Sequence, residues 1–108
     1  MQVQIAAEQT KFGFEAGEIL NIEPEEYKNI NICGLMGMAT NTEDNEMVIS
    51  DFKKLRTLYE TIKSGSRKSN QNTSVFNTLS MGMSDDYGLA INCGSNMVRV
   101  GSMIFGRR

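Results

Sequence analysis

From Asp44 to Lys63, the apolar residues Val48, Phe52, Leu55, Tyr59 and Ile62 recur at steps of four and three residues, the spacing of one face of an α-helix. Asp51, Lys53, Lys54, Arg56 and Glu60 fall opposite, and the pattern predicts that they are solvated. A short apolar run stands on each side of this helix. Ile32–Met38 precedes it and reads as a strand buried on both faces, and Val75–Leu79 follows it as another strand. Strand, helix and strand in that order indicate a βαβ unit and a parallel sheet.

The rest of the chain extends the alternation. Gln2–Ile5 alternates polar and apolar residues as a strand does. Phe14, Ile19, Leu20, Ile22, Tyr27 and Ile30 are spaced for helix, and Pro24 splits that stretch into two short helices near 14–20 and 24–29. Ser64–Ser74 is polar and rich in Ser, Asn and Gly, a surface loop. Ser84-Asp85-Asp86 reads as a helix start capped by Ser84, and Gly94 as its end. Met97–Val100 is the last strand, and Gly101–Gly106 turns out of it into a single helical turn. The fold class is therefore α/β, with four parallel β/α units. An eight-unit barrel of this kind needs about 250 residues, and 108 residues in one domain supply half of one.

Composition narrows the function. The chain has no histidine, so Ser-His and Cys-His nucleophilic catalysis cannot be built from it. A net charge of −2 disfavours broad attraction to nucleic acid or anionic lipid. No apolar run approaches the ~18 residues of a membrane span, and Met1–Ile5 lacks the basic and apolar regions of a signal peptide, so the expected compartment is the cytoplasm. Cys33 and Cys93 lie in no metal-binding spacing and read as buried thiols.

Two strand-to-helix junctions are the candidate ligand sites, because α/β folds place ligands at the carboxyl ends of strands. They are Leu79-Ser80-Met81-Gly82-Met83-Ser84 and Arg99-Val100-Gly101-Ser102. Each offers Gly, a hydroxyl and a following helix start that can converge on a phosphate, though the same residues also serve as ordinary turn formers. Arg99 sits in an apolar strand and points toward the inner face of the sheet. There it meets an anion or ring acceptor, or an internal carboxylate; composition does not choose between these. Lys11 can approach from the same end or be solvated. The Met-rich GLMGM and SMGM runs are core filling, Asp85 and Asp86 are helix-start carboxylates, and Arg107-Arg108 is too short for a basic tail.

Ile32-Cys33-Gly34-Leu35-Met36, Leu79-Ser80-Met81-Gly82-Met83-Ser84 with Asp86, Ala90-Ile91 with Gly94-Ser95, and Met97–Ser102 with Ile104-Phe105-Gly106 and Arg108 resemble the pyridoxal-phosphate homeostasis protein family. That family is in turn similar to the barrel domain of alanine racemase. The resemblance covers nearly the whole chain, with Gln2-Val3, Glu8, Lys11 and Gly13 fitting the fifth-strand region. It implies a cytoplasmic, non-catalytic pyridoxal 5′-phosphate carrier with no nucleic-acid or membrane partner. By the same resemblance Ser80 and Met81 bind phosphate after the seventh strand, Gly101 and Ser102 bind it after the eighth, and Arg99 faces the pyridine nitrogen. The family's Schiff-base lysine lies on the first strand, and none of Lys11, Lys28, Lys53, Lys54, Lys63 or Lys68 occupies that position. Residues 1–108 then form a single C-terminal half with the first four β/α units absent. The alternative is a fragment of an alanine racemase-type enzyme, which requires a catalytic tyrosine from a second domain and a lysine on strand one, neither visible here. A half-barrel leaves two sheet edges, at Gln2–Ile5 and Met97–Val100, with nothing in the sequence to protect them, which predicts a homodimer or an aggregate.

Overall fold

The computed structural model describes residues 1–7, 13–22, 29–64 and 76–106. Within them β1 (Gln2–Val3), α1 (Ala16–Leu20), β2 (Gly34–Gly37), α2 (Asn45–Lys63), β3 (Thr78–Met83), α3 (Tyr87–Asn92), β4 (Met97–Arg99) and α4 (Ser102–Phe105) follow one another. All neighbouring strands are parallel, in the order β1-β2-β3-β4. The expected alternation is present. The helix expected near 24–29, most of the polar 64–74 stretch, Lys11, Lys28, Lys68 and Arg107-Arg108 lie outside the described residues.

One face of the sheet carries the core. Val3, Leu35, Leu79 and Met81 point from the strands toward the helices and meet Ile19, Val48, Phe52, Leu55 and Ala90, all buried. The α2 periodicity is the cause: Val48, Phe52, Leu55, Tyr59 and Ile62 are buried together along its length. Tyr59 stacks on Phe76, with ring centroids 5.4 Å apart. At the start of α2 the Asp44 Oδ1 accepts from the Glu46 N–H at 3.1 Å, an N-cap that ends the preceding loop. The opposite face, which would line a barrel's interior, holds Met36, Ser80 and Met97 in register.

Three expectations need correction here. The third strand runs over Thr78–Met83, not 75–79, because Leu79 and Met81 alternate into the core at period two while Ser80 turns to the other face. Asp51 is not solvated. It is 2% exposed, and its Oδ2 accepts from the Thr40 N–H at 2.8 Å and from the Thr40 hydroxyl at 2.6 Å. Thr40 Oγ1 in turn accepts from the Ala7 N–H at 2.9 Å, so one carboxylate ties together the segments that follow β1 and β2. The thiols are not buried either: Cys33 is exposed and Cys93 half-buried.

The β1 edge is also protected. Phe14 lies alongside it, its N–H donating to Gln2 O at 2.9 Å and its carbonyl accepting from Gln4 N at 2.8 Å. Gly13 makes this return possible. Its φ is +124°, and a β-carbon there would stand 2.9–3.0 Å from the β1 backbone. Among the described residues, β4 is the edge strand left with a neighbour on one side alone.

Candidate functional site at the carboxyl ends of the strands

The carboxyl ends of β2, β3 and β4 bring Gly37, Met83 and Arg99 to one end of the sheet. Arg99 is registered against Met83, yet its Nη2 donates to Gly37 O at 3.1 Å. The side chain therefore crosses over β3 to reach β2, on the inner face that the sequence predicted. Among the described residues its hydrogen bond is to a backbone carbonyl rather than to a carboxylate. Burial pulls the Arg99 pKa below its usual value, and the nearby Asp86 carboxylate pulls it back. It remains a cation, since guanidinium does not deprotonate in proteins. Its Nε is buried and has no hydrogen-bond partner.

Next to Arg99 in the chain, Gly101 and Ser102 open α4, which is the short helical turn expected after the last strand. The Ser102 N–H stands at the first helical position, where no intrahelical carbonyl can reach it. A β-carbon built on Gly101 meets nothing within 4 Å beyond its chain neighbours.

Sequence reasoning gave Ser84 a different role, that of a cap on the helix that follows it. Instead of capping α3, its Oγ accepts from the Gly101 N–H at 3.1 Å and from the Met103 N–H at 3.2 Å. Both hydroxyl lone pairs are thereby used, and its proton is left as a donor. Asp86 takes the N-cap place, with its Oδ1 accepting from Met83 N at 2.8 Å. The two junctions singled out in the sequence are thus physically joined, but through Ser84. The available signal was the shared composition of the junctions, which marked Ser84 as a turn residue without saying which turn it served.

Arg99, Gly101 and Ser102 follow one another at the end of β4, and the Arg99 side chain reaches the Gly37 that is registered with Met81, so it crosses β3 close to Ser80 and Met81. Both lie within β3 and not in the loop after it, and Met81 is fully buried against the helices. Ser80 lines a cavity of about 440 Å³ with Met1, Cys33, Met36 and Thr78, among others. Three residues of strand, roughly 10 Å, separate Ser80 from Met83. The described lysines, Lys53, Lys54 and Lys63, are all exposed on α2.

No family model matches the chain. A pyridoxal phosphate homeostasis protein of Helicobacter pylori is 37% identical to it over 108 residues, covering 97% of this chain and 44% of that protein. The chain is a relative of the pyridoxal phosphate homeostasis proteins. It spans less than half the length of the curated relatives it matches most strongly. Among solved structures, a protein of unknown function from Bifidobacterium adolescentis superposes with a TM-score of 0.83 at 30% identity, over 96% of this chain and 41% of that one. PipY of Synechococcus elongatus PCC7942, solved without PLP, superposes at 0.82 and 26% identity, over 98% and 48%. With four parallel β/α units in sequential order and neighbours about twice as long, the fold is half of a (β/α)8 barrel. Among the described residues no helix is long and apolar enough to cross a membrane.

Proposed function

We propose that this chain corresponds to the C-terminal half of a cytoplasmic pyridoxal 5′-phosphate carrier, and that its residues supply noncovalent contacts to the cofactor. One observation carries the reading: Arg99 lays a guanidinium across the inner face at the carboxyl ends of the strands, with Nη2 on Gly37 O and Nε without a hydrogen-bond partner. An unmatched buried donor costs about 1–3 kcal/mol, and an unprotonated pyridine nitrogen is an acceptor of the right kind. Ser84, Gly101 and Ser102 complete the site on the phosphate side. Ser84 contributes a hydroxyl proton already directed away from its two accepted bonds, Ser102 its N–H and hydroxyl, and Gly101 the missing side chain that leaves room. Met81 offers no side chain, because the core encloses it, which leaves its backbone and Ser80 as the candidates on β3.

Pyridoxal phosphate supplies an aldehyde and an electron-accepting ring when bound. Arg99 opposes protonation of that ring, which weakens it as an electron sink. A carrier, which stabilises no carbanion, tolerates this loss. The sign of the pH effect follows. Affinity falls as pH drops through the free ligand's ring pKa, because the protonated ring meets a fixed cation.

Calorimetry tests the reading. Gly101→Val leaves the melting temperature unchanged, since its β-carbon meets no protein atom within 4 Å, and it weakens pyridoxal phosphate binding at least tenfold. Ser102→Ala weakens binding less than Gly101→Val does, by about tenfold, the low end (~1.5 kcal/mol) of a hydrogen bond to a charged group. Equal affinity for pyridoxal and pyridoxal phosphate contradicts the assignment.

The remaining β4 edge, with Met83, Met97, Met103, Ile104 and Phe105 exposed around it, supports self-association. Size exclusion with light scattering is expected to give species larger than 12.0 kDa. A dispersed monomer that melts cooperatively refutes this.

A further inference from the structure

We infer that Asp86 limits how tightly this site holds a phosphorylated ligand, its carboxylate opposing the ligand's phosphate from the turn between β3 and α3. The inference rests on the pyridoxal phosphate reading above and adds to it a residue that sets affinity. Asp86 stands at the N-cap of α3, yet its side chain makes no capping bond to that helix. An aspartate there ordinarily accepts from the second or third N–H of its own helix. This one turns back instead: its Oδ1 accepts from the Met83 N–H at 2.8 Å, and its own N–H donates to Met83 O at 3.1 Å. The negative charge is thereby held at the carboxyl end of β3.

Two links place that charge beside the ligand. Met83 is registered against Arg99, which puts their α-carbons about 4.8 Å apart across the parallel pair. Ser84, two residues before Asp86, accepts the Gly101 N–H at 3.1 Å and the Met103 N–H at 3.2 Å on its Oγ. The carboxylate therefore lies within about 10 Å of the Gly101 turn, given ~3.8 Å between successive α-carbons. It acts on Arg99 as well, whose Nη2 is engaged by Gly37 O: burial lowers the guanidinium's pKa and Asp86 raises it. Like charges at such a separation repel appreciably in dilute salt and are screened above about 0.1 M. A phosphate dianion doubles the repulsion. A site built in this way takes up a phosphorylated ligand and also releases it.

Asp86→Asn tests this, because it keeps the oxygen that accepts from the Met83 N–H and removes only the charge. The full chain and the variant are titrated by calorimetry with pyridoxal phosphate, pyridoxal and inorganic phosphate, in about 10 mM and about 300 mM salt to vary the screening. Glu60→Gln, which deletes the same charge from the exposed side of α2, controls for net charge. In dilute salt Asp86→Asn is expected to bind pyridoxal phosphate about five- to tenfold tighter, and inorganic phosphate tighter too, with the gain falling below about twofold in high salt. Pyridoxal, which has no phosphate, should change by less than about twofold, and Glu60→Gln should move none of the three by more than that. Unchanged or weaker pyridoxal phosphate binding by Asp86→Asn overturns the inference and leaves the carrier reading standing. So does an equal gain for pyridoxal, a gain undiminished in high salt, or an equal gain from Glu60→Gln. If neither the parent chain nor Asp86→Asn binds pyridoxal phosphate, the carrier reading falls and the inference with it.

Discussion

Gly34→Ala is expected to abolish the cooperative melt of this chain. A β-carbon at that position falls onto the Thr78 carbonyl oxygen and within 2.6–2.7 Å of the Thr78 carbonyl carbon and Cβ. Gly34 and Thr78 are the first registered pair of β2 and β3, the two central strands. Just before them, the Cys33 carbonyl accepts from both Asn77 N at 2.9 Å and Thr78 N at 3.0 Å. Backbone cannot swing aside as a side-chain tip can, so the strands must part. Overpacking of a rigid site costs about 1–3 kcal/mol and sometimes more, and here the ladder bonds go with it. A small domain is stable by about 5–15 kcal/mol. Half a barrel with one sheet face uncovered sits at the low end of that range. Thermal melting by circular dichroism decides the matter, and a midpoint within a few degrees of the parent chain would show that the strands can accommodate the methyl group.

Removal of the Asp51 carboxylate has the next largest expected effect. Asp51→Ala leaves the Thr40 N–H and hydroxyl buried with their acceptor gone, and opens a small void beneath α2. Each unmatched group costs about 1–3 kcal/mol, so a loss of about 3–4 kcal/mol is expected. Asp51→Asn keeps the volume and one acceptor oxygen, and should lose roughly half as much. Denaturant titration at constant slope measures both. Two variants of equal stability to the parent would mean that Thr40 finds other partners, and the segments after β1 and β2 are then held by something besides this carboxylate.

The parts of the fold visible in the sequence are those set by periodicity. The α2 face from Val48 to Ile62 is buried as its spacing requires, and the β/α order follows from where such runs begin and end. Position 51 was misread because period alone treats every polar residue as solvated. An aspartate whose two hydrogen-bond donors come from Thr40, eleven residues earlier, is legible only once β2 and α2 are packed together. The β3 boundary was misplaced for a related reason. Gly and Ser in Ser80-Met81-Gly82 speak for a turn, while the weaker period-two signal of Leu79 and Met81 turned out to govern. At the candidate site, Arg99 stood out because a charge interrupts an apolar strand. Ser84 did not, since its partners Gly101 and Met103 lie seventeen and nineteen residues away, and no local pattern encodes a contact of that kind.

The return of Phe14 along β1 makes the two sides of the sheet kinetically unequal. A strand arriving at β4 has only to collide and align, so its rate scales with the concentration of the incoming chain. A strand arriving at β1 must first wait for Phe14 to release Gln2 and Gln4. Pairing on that side becomes a displacement, whose rate levels off at the unimolecular opening rate of the Gly13–Phe14 segment however much partner is supplied. Any ring closed around this half-barrel would therefore be built from β4 first and sealed at β1 last.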